Sequence, residues 1–237
     1  MQKASSIAEQ LKSNSYPGRG IVIGKSQDGS HAVTAYFIMG RSANSRNRIF
    51  VERDDVLYTQ PFDVSKVEDP SLILYAAQRK YKNYLILTNG DHTDTICEGL
   101  KAGKSFQESL ESRTFEPDAP HFTPRISGIL AWEGGDFSYK MSILKSADEH
   151  GSACHRFTFS YEPQNGIGHL IHTYRGDGNP LQPFEGEPKQ ILIPDSIDEF
   201  ATSLWNALHC ENRISLFVRY TDLKTLQEEK RLINCHS

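Results

Sequence analysis

Short runs rich in β-branched and aromatic residues dominate the 237-residue chain, and they fall into two groups around a helical middle. Runs of this kind, bounded by turn-forming residues, predict β-strands. The predicted strands lie at residues 20–24, 31–39, 48–52, 56–60, 83–88, 125–132, 137–144, 155–161, 168–174 and 214–220. Strands grouped in this way, without regular alternation with helices, indicate an α+β fold of layered sheets with helices outside.

Helices are predicted from apolar residues at helical spacing and from start signals. A short amphipathic helix or frayed arm is expected over residues 1–15, and residues 16–237 are expected to form a single domain. A helix beginning at Asp69-Pro70 is predicted to carry Leu72, Tyr75, Ala76 and Arg79. Further helices are predicted at residues 93–101, 105–112 and 197–208. The charged residues from Thr221 onward carry no clear pattern.

Composition excludes several classes of function. No segment approaches the ~20 apolar residues that a membrane span needs, and residues 1–15 lack the apolar centre of a signal peptide. The net charge of −4 argues against a nucleic-acid-binding protein. The four cysteines form no C-x-x-C pair, so buried free thiols are expected in place of a zinc site or disulfides. We therefore expect a cytoplasmic protein without a membrane or nucleic-acid partner.

The densest polar cluster is the segment Gly40 to Arg48, between two predicted strands. It offers the guanidinium groups of Arg41, Arg46 and Arg48 together with hydroxyl and amide donors, among them Ser42. Because a guanidinium can bond a phosphate through two parallel hydrogen bonds, the segment suits an oxyanion. The alternative is a solvated connection whose arginines pair with nearby carboxylates.

A second polar cluster, residues 88–94, joins a predicted strand to a predicted helix. Unpaired N–H groups at a helix start attract anions and ligands. The residue pattern itself favours a structural role, with Asp91 as N-cap and Asp94 completing a capping box. His92 lies beside the cap and has a side chain suited to proton transfer near neutral pH.

Two further segments are polar. The loop from Glu116 to Arg125 is stiffened by prolines and concentrates acids, a histidine and an arginine. Such loops are more often ordinary connections at the edge of a sheet. The glycine-rich stretch 161–178 contains His169 and His172, which point to opposite faces if they lie on a strand. No metal site is therefore predicted, and neither common phosphate-binding glycine fingerprint is present.

Four segments, YPGRGIVIG (16–24), GRSANSRNR (40–48), NGDHTDT (89–95) and TPRI (123–126), together resemble the stand-alone inosine monophosphate (IMP) cyclohydrolase family. The resemblance is strong in the first half of the chain and weak in the second. It implies a four-layer αββα sandwich of the Ntn-hydrolase type. It also implies ring closure of formylated aminoimidazole carboxamide ribonucleotide to IMP and water, in purine biosynthesis.

Within this family, ring closure needs no cofactor and no covalent intermediate. Residues 16–19 stand where an Ntn hydrolase carries its nucleophile, and none of them could attack a carbonyl. The residues expected to act in catalysis are Asn89, His92, Asp94 and Glu116. Those expected to bind substrate are Arg19, Arg41, Ser42, Arg46, Arg48, Thr93 and Arg125.

Two other functions fit the same residues. One is a non-catalytic sensor that binds purine nucleotides through the same arginines. The other is an Ntn-type amidohydrolase, which the absence of a nucleophile disfavours. For the cyclohydrolase and for the sensor, the expected partner is a purine ribonucleotide. A homo-oligomer is compatible with the sequence.

Overall fold

The computed structural model describes residues 3–67 and 74–236, and its helices and strands lie within those ranges. The helices are α1 (Ile7–Leu11), α2 (Ala43–Arg46), α3 (His92–Lys101), α4 (Phe106–Leu110) and α5 (Ile197–Ala207), with a short 3₁₀ helix at Val64–Lys66. The strands of the first half are β1 (Arg19–Lys25), β2 (His31–Met39), β3 (Ile49–Arg53), β4 (Val56–Gln60), β5 (Tyr75–Tyr81) and β6 (Tyr84–Thr88). Those of the second half are β7 (Arg125–Glu133), β8 (Asp136–Ser146), β9 (Cys154–Tyr161), β10 (Ile167–His172), β11 (Lys189–Leu192), β12 (Arg213–Asp222) and β13 (Glu228–Asn234).

These strands form two antiparallel sheets. The first sheet has six strands in the order β11-β10-β1-β2-β12-β13, and the second has seven in the order β3-β4-β5-β6-β7-β8-β9. Every strand of the second sheet pairs with its neighbour in sequence, whereas the first sheet joins strands from both ends of the chain. The described residues therefore have an α+β architecture.

Three clusters of buried apolar residues show how these elements pack. One cluster joins the sheets, with Ile21 of β1 and Leu87 of β6 among its members. Val22, one residue beyond Ile21, belongs instead to a second cluster with α1 and α5, because successive side chains on a strand point to opposite faces. The third cluster packs α3 and α4 on the second sheet, through residues such as Ile96 and Ile129.

Most predicted strands are confirmed, and β2 and β4 have the bounds that the sequence predicts. The helix predicted over Tyr75, Ala76 and Arg79 is wrong, because these residues form β5, which pairs with β4 and β6. Two strand partners satisfy its backbone groups, so tertiary pairing outweighs a helical spacing. Asp69-Pro70 and Leu72, the predicted start of that helix, lie outside the described residues. The strands β11 and β13 were not predicted.

The prediction of buried thiols is confirmed for Cys97 alone. Cys154 is half-buried, and Cys210 and Cys235 are exposed. Across residues 3–67 and 74–236, none of the helices is long and apolar enough to cross a membrane.

Candidate active site

The predicted polar segments meet where strands of both sheets begin or end. Arg19 begins β1 and Met39 ends β2 in the first sheet, while Thr88 ends β6 and Arg125 begins β7 in the second. Gly40 leads from β2 into α2 at a point where the chain folds tightly, since a Cβ there would lie 2.6 Å from the backbone of Ser45. The sequence thus turns sharply enough to bring the arginine-rich segment against the end of the first sheet.

A cavity of about 250 Å³ opens at this place. It contains four of the residues predicted to bind substrate, namely Arg19, Arg41, Ser42 and Arg48. The other residues that line it are Tyr16, Ser45, Asp118, His121, Thr123, Tyr174 and Leu181. Three guanidinium groups against one carboxylate give the cavity an excess of positive charge, which favours an anionic ligand.

Arg48 is buried beside this cavity, and within residues 3–67 and 74–236 it has no carboxylate partner. Its Nε donates to the carbonyl oxygen of Ser45 at 2.8 Å, and its Nη2 donates to that of Met39 at 3.1 Å. Burial, and then the neighbouring charge of Arg19, lower the pKa of Arg48. A buried cation held only by carbonyl groups is costly, so this guanidinium gains from the arrival of an anion.

Arg19 faces the carboxylate of Glu116, with 3.9 Å between Nη2 and Oε2. Burial by itself lowers the pKa of Arg19, but the charge of Glu116 and nearby tyrosines raise it above its usual value. Burial also raises the pKa of Glu116, against the opposing effects of Arg19 and Arg125. Glu116 therefore holds a proton more readily than an exposed carboxyl group does.

Arg41 reaches across the mouth of the cavity to the glycine-rich stretch. Its Nη1 donates to the carboxylate of Asp177 and, at 3.1 Å, to the carbonyl oxygen of Gly178. The guanidinium also lies over the ring of Tyr16, 4.8 Å from the ring centroid. The Arg41 side chain is about one-third exposed, so an incoming anion can compete with Asp177 for it.

Arg46 points away from the cavity. Its Nε donates to the carbonyl oxygen of Gly40 at 3.2 Å, and its Nη2 donates to Oδ1 of Asn212 at the same distance. Ser42 caps α2, and its hydroxyl and that of Ser45 bond reciprocally to each other's backbone N–H groups. The structure thus separates the three arginines of this segment, with Arg41 and Arg48 at the cavity and Arg46 holding the turn.

Arg125 occupies a neighbouring position behind Gly90. Its Nη1 donates to Asp91 at 2.7 Å and lies 3.3 Å from Nδ1 of His92. Nε2 of His92 lies 3.1 Å from the carbonyl oxygen of Ile126, which can only accept, so the ring proton is on Nε2 and Nδ1 accepts from Arg125. Burial, followed by the charge of Arg125, lowers the pKa of His92 to about 3. This neutral ring orients Arg125.

Gly90 is where these two groups of residues meet. A Cβ on Gly90 would lie 2.7 Å from Nη1 of Arg125, 3.3 Å from Nδ1 of His92 and 3.6 Å from Oε1 of Glu116. Residues from β6, α3, β7 and the loop before β7 are therefore brought together around one backbone position. Glu116 links them to the cavity through Arg19.

Three other predicted catalytic and binding residues, Asn89, Thr93 and Asp94, are not among the residues that line the cavity. The amide of Asn89 bonds to the backbone of Pro124 and Ile126, which ties the end of β6 to the start of β7. Thr93 hydrogen-bonds to Thr88 and to the carbonyl oxygen of Gly90. The structure does not bring Asp94 to the cavity, since its carboxylate is mostly exposed and pairs with Arg79 at 2.8 Å.

The predicted capping box at the start of α3 is wrong. Asp91 stands at the N-cap position, but its side chain makes no capping hydrogen bond. Its carboxylate instead bridges Arg113 and Arg125, at 2.8 and 2.7 Å. Two guanidinium groups outweigh a backbone N–H as partners for a carboxylate because charge-assisted hydrogen bonds are stronger.

The two histidines of the glycine-rich stretch have different hydrogen-bond partners. Nδ1 of His169 lies 2.6 Å from the hydroxyl of Tyr139, whereas Nδ1 of His172 lies 2.9 Å from the carbonyl oxygen of Tyr174. Within the described ranges, no group of three metal-ligating side chains is found. Cavities of about 500 and 330 Å³ also exist, but neither is lined by an arginine.

Sequence reasoning missed the cavity residues Tyr16, Asp118, His121, Thr123 and Tyr174. All five lie within segments that the sequence singled out, but no spacing distinguishes them from their neighbours. Tyr174 follows β10, more than fifty residues beyond Thr123, whose hydroxyl it contacts at 2.5 Å. Only the pairing of β10 with β1 brings it to the site.

Comparison with known proteins identifies the family of this chain. A family model described as IMP cyclohydrolase-like protein matches residues 16–225, which is most of the chain. The chain therefore belongs to the IMP cyclohydrolase-like family. The resemblance seen in the sequence motifs is confirmed, and the match includes the residues that line the cavity.

Several archaeal proteins named IMP cyclohydrolase are similar to this chain. The protein of Methanopyrus kandleri is 36% identical over 121 residues, which are 50% of this chain and 60% of that protein. The protein of Methanococcus maripaludis strain C7 is 29% identical over 169 residues, or 68% of this chain and 82% of its own length. The match to the Methanococcus aeolicus protein covers 58% of that relative.

Proposed function

We propose that this protein is an IMP cyclohydrolase, which closes the purine ring of formylated aminoimidazole carboxamide ribonucleotide to give IMP and water in purine biosynthesis. The single observation that carries the proposal is the cavity lined by Arg19, Arg41 and Arg48 in a chain of this family. The archaeal relatives that carry this name support the choice of reaction. A cytoplasmic location is part of the same proposal.

The phosphate of the substrate is assigned to Arg41, Arg48 and Ser42. In the part of the chain that the structure describes, Arg48 has no carboxylate partner, and Arg41 has one that is exchangeable. Each charge-assisted hydrogen bond to a phosphate contributes about 1.5–3 kcal/mol. The rest of the nucleotide then extends past Arg19 towards Glu116 and Gly90, where the second group of polar side chains lies.

Ring closure joins the carboxamide nitrogen to the formyl carbon of the same molecule and moves a proton from that nitrogen to the formyl oxygen. The resulting hydroxyl group then leaves as water with the hydrogen of the formamide nitrogen, and a C=N bond forms. The main requirements of ring closure are orientation and preorganised charge, which can lower such a barrier by several kcal/mol. Glu116 is assigned to the proton given to the formyl oxygen, because burial raises the pKa of its carboxyl group. Arg19 and Arg125 flank Glu116 and stabilise negative charge on the oxygen.

His92 and Asn89 act in this proposal as positioning residues. His92 holds Arg125 through Nδ1, and Asn89 ties the end of β6 to the start of β7, from which Arg125 projects. Thr93 contributes to the same local structure through Thr88. A direct catalytic role for Asp94 stays a prediction.

The finer description of the fold is also a proposal. We infer that the three apolar clusters separate four layers, with α1 and α5 outside the first sheet and α3 and α4 outside the second. This order of layers supports an αββα sandwich of the Ntn-hydrolase type. Residues 16–19, at the start of β1, offer no nucleophile, in keeping with a reaction that needs no covalent intermediate.

The decisive experiment is a cyclisation assay that follows the change in ultraviolet absorbance as the imidazole becomes a purine. We expect the purified protein to convert the formylated substrate to IMP without an added cofactor. Folded protein that binds IMP but does not turn over substrate would identify a non-catalytic nucleotide sensor instead. Folded protein that neither binds IMP nor turns over substrate would refute both functions.

A further inference from the structure

A chain of three hydrogen-bonded side chains forms one wall of the cavity. Asp118 and Thr123 lie in the loop before β7, and Tyr174 lies just after β10. The N–H of Thr123 donates to Oδ1 of Asp118 at 2.6 Å, and the hydroxyl of Thr123 donates to the other carboxylate oxygen. The hydroxyls of Thr123 and Tyr174 are 2.5 Å apart.

The carboxylate fixes the direction of this chain. An ionised carboxylate accepts and never donates, so the one hydroxyl hydrogen of Thr123 points to Asp118. The hydrogen between the two hydroxyls must then come from Tyr174. As a result, the oxygen of Tyr174 has no hydrogen left to offer and retains lone pairs that can accept.

The Tyr174 side chain is held firmly at this position. Its ring stacks on Tyr16, with 5.9 Å between the ring centroids and 14° between the planes. On another side the ring lies against Gly18, where a Cβ would come within 2.6 Å of it. The backbone N–H of Tyr174 donates to Pro17 at 3.2 Å. A hydroxyl fixed in this way favours a ligand group of one defined geometry.

The Tyr174 oxygen is a fixed acceptor in a cavity whose other polar groups are mainly donors. Arg41, Ser42 and Arg48 are assigned to the phosphate, which has only acceptor oxygens when fully ionised. In a nucleotide the nearest hydrogen-bond donors to the phosphate are the hydroxyl groups of the ribose. Among residues 3–67 and 74–236, no side chain donates to the Tyr174 oxygen.

We propose that the Tyr174 oxygen accepts a hydrogen bond from a ribose hydroxyl, so that the Asp118–Thr123–Tyr174 chain selects ribonucleotides over deoxyribonucleotides. The inference rests on the proposed function, because it assumes that the cavity holds a nucleotide phosphate. It assigns to this wall the acceptor for a ribose hydroxyl, a role that the arginines cannot fill because a guanidinium only donates.

The test combines three ligands with four proteins. IMP, 2′-deoxy-IMP and 3′-deoxy-IMP are titrated calorimetrically into the wild type and into Tyr174→Phe, Thr123→Val and Thr123→Ser. The wild type should bind IMP about 3- to 10-fold more tightly than at least one deoxy analogue, the range for one neutral hydrogen bond. Tyr174→Phe should lose that preference while binding the deoxy analogue as the wild type does.

The two threonine variants test the direction of the chain. Thr123→Ser keeps the hydroxyl and should keep the preference for IMP. Thr123→Val removes the acceptor of the Tyr174 hydrogen and should weaken the preference. Thermal unfolding of each variant shows whether it folds. If Tyr174→Phe does not fold, the two threonine variants still test the inference.

If Tyr174 has only a structural role, Tyr174→Phe should weaken the binding of IMP and of its deoxy analogues by the same factor. That result would overturn the inference. Equal binding of all three ligands by the wild type would overturn it too. If the wild type turns over the formylated substrate but shows no hydroxyl preference, the inference fails and the proposed function stands. If the wild type binds no nucleotide and has no turnover, the proposed function itself fails.

Discussion

At the scale of single residues, the cavity keeps buried charges that the folded chain does not fully neutralise. Arg48 has carbonyl partners only, and Nε of Arg19 is buried without a hydrogen-bond partner among the described residues. Glu116 is the one carboxylate facing Arg19 within the described ranges, at 3.9 Å. Because unpaired buried charge is costly, such residues are more simply explained by a ligand than by stability.

The first prediction compares two arginines of the same segment. Arg48→Met should weaken IMP binding about 10-fold or more, because it removes at least one charge-assisted bond worth about 1.5–3 kcal/mol. Arg46→Met should change IMP binding by less than about 3-fold, since Arg46 bonds to Gly40 and Asn212 outside the cavity. Calorimetric titration of both variants decides the matter, and a larger loss in Arg46→Met would contradict the assignment.

The second prediction concerns the pH dependence of stability through Glu116. Burial raises its pKa above the ordinary 4.5, so the fold favours the protonated form. The stabilising contribution of this group is complete below pH 4.5 and is lost as the pH rises through its folded-state pKa. Glu116→Gln stays neutral at every pH. The free energy of unfolding of this variant, relative to the wild type, should therefore increase between pH 4.5 and 7.

Urea unfolding at several pH values measures that difference directly. A difference that stays constant would show that the ion pair with Arg19 balances the effect of burial, and one that decreases towards pH 7 would show that the ion pair outweighs it. Turnover offers an independent check. If Glu116 supplies the proton to the formyl oxygen, Glu116→Gln should lower kcat about 100-fold or more, the usual range for general acid catalysis.

At the scale of elements, the connection between β10 and β11 borders the cavity, which Tyr174 and Leu181 help to line. It carries Asp177, whose carboxylate bonds to Arg41 where the phosphate is assigned. It is tied down at Leu181, whose N–H donates to Nδ1 of His121 at 3.2 Å. The connection therefore supplies a carboxylate that competes with the substrate for one of its arginines.

A third prediction follows for this connection. Asp177→Asn should tighten binding of IMP and of inorganic phosphate up to about 5-fold, because a partly exposed ion pair is worth about 0.2–1 kcal/mol. Glu185→Gln is the matched control. It removes another exposed carboxylate of the same connection, one paired with Arg175. Equal changes in the two variants would point to net charge alone, and weaker binding by Asp177→Asn would mean that Asp177 holds the cavity open.

The sequence predicts a strand well where the spacing of its apolar residues fits a strand and does not also fit a helix. β2 is predicted to the residue because every position from Ala32 to Met39 is buried between strands of the first sheet and helices or strands on its faces. β5 is mispredicted because its apolar positions fit both a helix and a strand, and only pairing with β4 and β6 decides between them. No local window of sequence contains the information on long-range pairing.

Long-range contacts also limit how much of the candidate site the sequence predicts. The arginines at the cavity stand out because three guanidinium groups within nine residues are chemically unusual, yet the sequence does not distinguish Arg46 from Arg48. Their directions depend on the turn around α2, which places Arg48 beside Met39 and Arg46 beside Asn212. Tyr174 lies in the glycine-rich stretch 161–178, but nothing in that stretch distinguishes it, because its role depends on a contact with Thr123, 51 residues away in the sequence.

At the scale of the whole molecule, the site is built from both sheets. Arg19 and Tyr174 are held by strands of the first sheet, whereas Arg125 and His92 are held by β7 and by the helix after β6 in the second. Glu116 lies between them, since its pKa responds to both Arg19 and Arg125. A ligand that engages both groups of residues therefore links the two halves of the fold.

The last prediction uses this link. A ligand that binds only the folded state at 100 times its Kd adds about 2.7 kcal/mol to the free energy of unfolding. For a domain of this size that gain corresponds to a rise in Tm of about 5–10 °C. Saturating IMP should produce such a shift, and hydrogen exchange should slow at the amides of both β1 and β7. Inorganic phosphate reaches only Arg41, Ser42 and Arg48 in this scheme, so it should protect the first sheet and leave exchange at β7 unchanged. Protection of β1 alone by IMP would place the whole nucleotide on the first sheet and remove Arg125 from the site.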